Sequence, residues 1–177
     1  MINSGKFLKK SVLINVEINT QKSNRRKVRE FVMQSLYAKE ISNTSDEILI
    51  STILSSLKEN KLDYEFALLL FSQTQKNIIE IDELIKKHIE NWDMKKILII
   101  DKSILRMAAC EILFFSEIPV KVSINEAIEI AKKFSNDTSG KFINGILDAI
   151  RIDLEKNGKL LKSGRGLITS SLKKNSN

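Results

Sequence analysis

The sequence predicts an all-α fold of about seven helices, on three observations. No glycine occurs between Lys6 and Ser139, the chain holds one proline, Pro119, and apolar residues recur three and four apart from about Asn24 to Lys156. Turn-rich β structure needs glycine and proline where the chain reverses. Recurrence at three and four residues lines one face of an α-helix. At 177 residues, 42% hydrophobic and 29% charged, the chain has the balance of one globular domain or of two small helical lobes sharing a core.

Residues 1–23 read as an N-terminal extension. Val12, Ile14, Val16 and Ile18 alternate with other residues, but no second strand signal offers them a partner, so the extension is expected to be mobile or loosely docked. A first helix is expected from about Asn24 to Ile41, with Val28, Phe31, Val32 and Leu36 on its core face. A second follows Ser42–Asp46 and ends near Asn60. The stretch from Asp63 to Asn91 carries an apolar stripe that Gln73–Asn77 interrupts, so it bends or splits there. Asp93–Phe115 reads as one broken or two consecutive helices, with Asp101 as N-cap of the second. Ser123-Ile-Asn-Glu126 matches a capping box, which starts a helix with Ala127, Ile130, Ala131 and Phe134 on one face. After Ser135–Ser139 a last helix runs from Gly140 to about Lys156. The domain is thus expected over 24–156, and 157–177 is expected to be a basic, flexible tail.

Charge and missing motifs narrow the function. Lys and Arg outnumber Asp and Glu by 29 to 22, for a net charge of +7, which permits a polyanionic partner without requiring one. No apolar run reaches the roughly 20 residues of a membrane span. The single cysteine, Cys110, suits a reducing compartment, and the cytoplasm is the expected location. The one histidine, His88, and Cys110 assemble no metal cluster, and no phosphate-binding glycine motif is present. Asp82 and Glu83 are adjacent rather than facing, so they make no acid–base pair. Neither an enzyme nor a cofactor is expected.

Three groups of residues suggest binding. Arg25-Arg-Lys-Val-Arg29 opens the first helix, placing Arg25, Arg26, Lys27 and Arg29 at the positive end of its dipole. Cations there are costly unless an anion such as phosphate joins them; otherwise they form a solvated basic face. Met33, Tyr37 and Ile41 make a second apolar stripe on that helix, either buried on both sides or a docking surface. Thr138, Ser139, Lys141 and Phe142 place hydroxyls, a cation and an aromatic ring at another helix start. They suit RNA, unless Thr138 or Ser139 merely caps the helix and Phe142 packs above Ile146.

Several stretches in order resemble the NusB family: Arg25-Arg-Lys-Val-Arg-Glu30 with Gln34-Ser-Leu-Tyr37, Ile81-Asp82 and Asn91-Trp92, and Asp101-Lys-Ser-Ile-Leu-Arg106 with Glu111-Ile-Leu113. Ile118-Pro119, Ile124-Asn-Glu-Ala127, Ala131-Lys132 and Lys141-Phe-Ile-Asn-Gly-Ile-Leu-Asp148 continue the match to about residue 150. The resemblance implies two packed three-helix lobes. It also implies binding of single-stranded boxA-type leader RNA of ribosomal RNA operons with the small-subunit ribosomal protein NusE, in an antitermination complex on RNA polymerase. On that resemblance Arg25, Arg26, Lys27 and Arg29 contact RNA, Thr138, Ser139, Lys141 and Phe142 add a second RNA patch, and Tyr37 and Asp101 meet the ribosomal protein. Thr138 departs from the acidic residue common in relatives, and Gly140 is small for its place. Met33, Tyr37 and Ile41 offer a face on which a second copy pairs when the partner is absent. The alternative is a helical protein-interaction module whose arginines only confer solubility.

Overall fold

A computed structural model describes residues 24–89, 94–136 and 138–162. Seven α-helices account for most of them: α1 (Arg25–Ser42), α2 (Asp46–Thr52), α3 (Lys61–Lys76), α4 (Ile78–Lys87), α5 (Ile99–Phe114), α6 (Val120–Phe134) and α7 (Ser139–Lys156). Short 3-10 turns at Leu54–Leu57 and Met94–Lys96 link α2 to α3 and lead into α5. No strand occurs among the described residues, and none of their helices is long and apolar enough to cross a membrane. The N-terminal extension and positions 163–177 lie outside the described residues.

α5 is the axis of the fold. Ile104, Leu105, Met107, Ala108, Ala109, Cys110 and Ile112 are buried around its circumference, which a helix can sustain only when surrounded. α1 and α3 pack on one side of it, α6 and α7 on another, and α4 alongside. The two groups share α5 and one continuous apolar core. Full burial of side chains such as Phe71, Leu70, Ile81 and Ile143 supplies the main driving force, at roughly 1.5–3 kcal/mol each before chain entropy is charged against it.

Asparagines set several helix ends. Asn24 caps α1 by accepting the Lys27 amide at 3.1 Å, and Asn60 caps α3 by accepting that of Asp63 at 3.2 Å. Asn43 ends α1 in the left-handed conformation, φ 49°, its amide bonded to the Lys39 carbonyl. The expected split of the long stretch falls at Asn77, between α3 and α4.

Two caps expected from local motifs do not form. α6 begins at Val120, directly after Pro119, whose φ of −60° feeds the helix. Ser123 and Glu126 therefore lie inside it, and both side chains serve partners distant in sequence, Glu111 and Arg26. α5 begins at Ile99, so Asp101 is in its first turn and caps nothing. The packed chain also continues past residue 156. Lys162 is buried, and its ammonium donates to the carbonyls of Glu111 and Phe115 at 3.0 and 2.9 Å, closing the C-terminal end of α5.

Candidate nucleic-acid and partner interfaces

The first turns of α1 contain no acidic residue, so the side chains of its four cations are free to diverge. Arg25 lies over the Phe66 ring, its guanidinium carbon 4.0 Å from the centroid, and stays exposed. Arg26 makes a two-pronged pair with Glu126 of α6, both bonds 2.9 Å, yet half of its side chain remains exposed. Lys27 is exposed, with its ammonium 5.9 Å from the centre of the Phe31 ring.

Arg29 corrects the expectation. It is only 4% exposed, and its guanidinium grips Glu111 of α5 at 2.6 and 3.1 Å. Ser123 donates to the same carboxylate at 2.8 Å. An isolated buried carboxylate would be too costly to keep charged, so Arg29 is held inside as its counter-ion and cannot touch RNA. Sequence spacing could not reveal this, because Glu111 lies 82 positions away.

α6 contributes cations that sequence reasoning did not single out as contacts. Lys133 reaches Glu30 at 2.7 Å and Lys132 reaches Glu129 at 2.7 Å, and both lysine side chains remain more than half exposed. The signal was available: Ala131-Lys132 belongs to the stretches that carried the resemblance. α1 and α6 run side by side here, linked by Arg26–Glu126 near one end and Glu30–Lys133 further along. Together they present a ridge of Arg25, Arg26, Lys27, Lys132 and Lys133. Its ion pairs are exposed, worth roughly 0–1 kcal/mol each, so phosphate can displace them readily.

At the far end of α6 a second group gathers before α7. Asn136 bonds the amides of Thr138 and Ser139 at 3.0 Å each and the Thr138 hydroxyl at 2.6 Å. It thus fixes the start of α7, a task that the sequence suggested for Thr138 or Ser139. Thr138 and Lys141 are exposed and Phe142 is half-buried. Ser139 is buried, and its hydroxyl donates to Asp101 at 2.7 Å, with the Ser135 hydroxyl 2.9 Å away. That hydroxyl is committed inward, so Ser139 is a positioning residue rather than an RNA contact. A cavity of about 320 Å³ opens between these residues and the start of α5, with Leu98, Asp101, Thr138 and Phe142 among its lining.

The apolar stripe of α1 divides. Met33 is fully buried and belongs to the core, so it is no docking residue. Tyr37 and Ile41, 37% and 55% exposed, face outward beside Glu40, which holds Lys102 and Arg106 of α5. Those two cations pull the Glu40 carboxyl below its usual range. Arg106 also makes a two-pronged pair with Asp82 at 2.7 and 2.8 Å, which stitches α4 to α5 beneath the Tyr37 face. Asp101, by contrast, is 4% exposed and reachable only through the cavity.

No group of three or more metal-ligating side chains occurs among the described residues. Burial pushes the Cys110 thiol up to about 12, which leaves it protonated and inert at neutral pH. His88 is mostly covered, with Nε2 3.4 Å from Asp153.

A sequence model described as the NusB family matches residues 26–151. The chain is 48% identical over 147 residues to the transcription antitermination protein NusB of Salinibacter ruber, an alignment covering 82% of this chain and 92% of the relative. It is 42% identical over 152 residues to the protein of that name from Chloroherpeton thalassium, covering 85% and 72%. Among solved structures, T. maritima NusB superposes with a TM-score of 0.70 at 37% identity, over 75% of this chain and 93% of that one. A crystal structure of antitermination factors NusB and NusE in complex with dsRNA gives 0.67 at 25% identity, over 73% and 96%.

Proposed function

The chain belongs to the NusB family, and from that premise we propose that it is a transcription antitermination factor that binds boxA-type leader RNA of ribosomal RNA operons jointly with the ribosomal protein NusE. The observation that carries the reading is the ridge of exposed cations formed by the first turns of α1 and the adjoining face of α6. Arg25, Arg26, Lys27, Lys132 and Lys133 neutralise phosphates along the strand. Thr138, Lys141 and Phe142, at the other end of α6, meet its continuation with hydroxyl, ammonium and ring. Phosphate contacts supply affinity and register, and base contacts supply selection.

The protein partner docks on the face of Tyr37 and Ile41. A tyrosine half in contact with apolar neighbours and half in water suits such a surface, because its hydroxyl finds a polar partner on docking. The solved NusB–NusE–dsRNA assembly supports both ligands for the family, and this chain inherits the reading through its position in it. NusE raises RNA affinity by covering adjacent nucleotides, so each contact makes the next effectively intramolecular. The complex acts on RNA polymerase through NusE and RNA. Without the ribosomal protein, Tyr37 and Ile41 provide the face on which two copies pair.

The test is a titration of labelled boxA-type leader RNA at two salt concentrations, with and without the ribosomal protein. Affinity should fall steeply with salt, since the logarithm of the binding constant drops by about 0.7 per neutralised phosphate per decade for single strands. It should rise when the ribosomal protein is present. Salt-insensitive or absent RNA binding would reduce the protein to a helical interaction module.

A further inference from the structure

The cavity between the start of α5 and the start of α7 holds a polar atom that nothing in the fold satisfies. Asp101 accepts the Ser139 hydroxyl at 2.7 Å through Oδ2, while its Oδ1 is buried and has no hydrogen-bond partner. Buried acceptors are nearly always paired, and an unpaired carboxylate oxygen is a strong demand for a donor. The remaining lining is largely apolar: Ile97, Leu98 and the Phe142 ring supply flat walls, with Lys96 also present.

We propose that this cavity reads one unpaired base of the bound RNA, and that it selects a base with an exocyclic amino group whose N–H donates to Asp101 Oδ1. The inference rests on the RNA-binding reading above and adds a specificity-determining residue to it. Adenine, cytosine and guanine carry such an amino group and uracil does not. The apolar walls suit the faces of a base, Thr138 sits at the rim, and Lys96 is placed for a flanking phosphate. A cationic side chain of a protein is a poorer occupant, because Lys96 already brings positive charge to the site. Ser139 fixes which oxygen is available. Its hydroxyl occupies Oδ2, and Ser135 stands behind it at 2.9 Å.

The geometry gives an unusual expectation for Asp101→Asn. The Ser139 hydroxyl still requires an acceptor, so the asparagine turns its oxygen to Ser139 and its NH₂ toward the base. The preference should then invert, from an amino donor to the O4 acceptor of uracil. The experiment measures anisotropy of a labelled single-stranded boxA-type leader RNA. Its single positions are altered so as to delete only an amino group: inosine for guanosine, purine riboside for adenosine, 2-pyrimidinone riboside for cytidine. At one position the deletion should weaken binding to the unaltered protein about tenfold, within the range for loss of a specific base contact. The same deletion should cost nothing in Asp101→Ala, and uridine at that position should be favoured by Asp101→Asn. Circular dichroism and a thermal melt report folding, and the near-isosteric asparagine variant keeps the test decisive if the alanine variant fails to fold.

The inference is overturned if no position shows the loss, or if the loss persists unchanged in both variants. It is also overturned if the Asp101 variants lose capture of the ribosomal protein while base selection is intact, since the occupant is then a protein side chain. Salt-dependent RNA binding without any amino-sensitive position sinks this inference alone. No RNA binding at all sinks the functional reading with it.

Discussion

α5 carries a buried carboxylate near each end, and the two are treated differently. Near the C-terminal end Glu111 receives two bonds from Arg29 and one from Ser123, and Lys162 closes the carbonyls beside it. At the N-terminal end Asp101 receives one bond, from Ser139, and keeps one oxygen unpaired beside a cavity. A satisfied buried charge is a structural tie, and removing half of it leaves the other half stranded. An incompletely satisfied one that lines an opening is suited to a ligand. In both places a residue that sequence reasoning assigned to RNA, Arg29 or Ser139, has turned inward to serve the carboxylate.

The largest expected effect tests the satisfied end. Arg29→Ala strands Glu111 in the core and should lower stability by about 3–5 kcal/mol, read as the midpoint shift in urea. Pairing an apolar Arg29 replacement of similar size with Glu111→Leu should recover most of that loss, because a well-packed apolar pair is often as stable as the ion pair it replaces. Cys110 gives an independent readout. Its buried, protonated thiol should resist alkylation at pH 8 in the folded protein and become far more reactive in Arg29→Ala. Unchanged stability in Arg29→Ala would put that guanidinium back on the surface.

Next in size is the effect of the exposed cations beside that tie. Arg26→Ala with Lys27→Ala should weaken RNA binding about tenfold and lower the salt slope by about two, while stability shifts by no more than about 0.5 kcal/mol. Equal losses of stability in this variant and in Arg29→Ala would erase the division within the first turns of α1. Tyr37→Ala should likewise reduce capture of the ribosomal protein in a pull-down with little change in the melting curve, as expected for an interface tyrosine that is partly exposed in the free chain.

The helices and their apolar faces were legible because periodicity is a local property that burial only amplifies. Val28, Val32 and Leu36 are buried as spacing requires, and the break between α3 and α4 falls where the stripe of apolar residues lapses. What could not be read were choices that long-range partners make. Ser123 and Glu126 have the spacing of a cap, but Pro119 starts the helix earlier and leaves them for Glu111 and Arg26. Arg25, Arg26, Lys27 and Arg29 look alike in sequence. Only the position of Glu111 across the core separates Arg29 from its neighbours. Met33 follows the spacing of Tyr37 and Ile41, yet it sits where α1 is enclosed on both sides. Lys162 falls in a stretch whose composition suggests a loose tail. Its burial depends on open carbonyls at the end of α5, which no local pattern encodes.

The smallest expected effect is at the unsatisfied end, and it bears most directly on the contrast. Asp101→Ala removes one hydrogen bond from Ser139, worth roughly 1 kcal/mol, and also removes an acceptor whose unpaired burial costs about 1–3 kcal/mol. The two contributions oppose each other, so stability in urea should change by no more than about 1 kcal/mol in either direction. Ser139 can turn its hydroxyl to Ser135, 2.9 Å away, which further limits the loss. Glu111 offers no such cancellation, because each group around it is left without an equivalent partner when one is removed. A loss in Asp101→Ala as large as that in Arg29→Ala would mean that Asp101 is held as firmly as Glu111. The two ends of α5 would then be alike, and the cavity would be a packing defect rather than a place for a base.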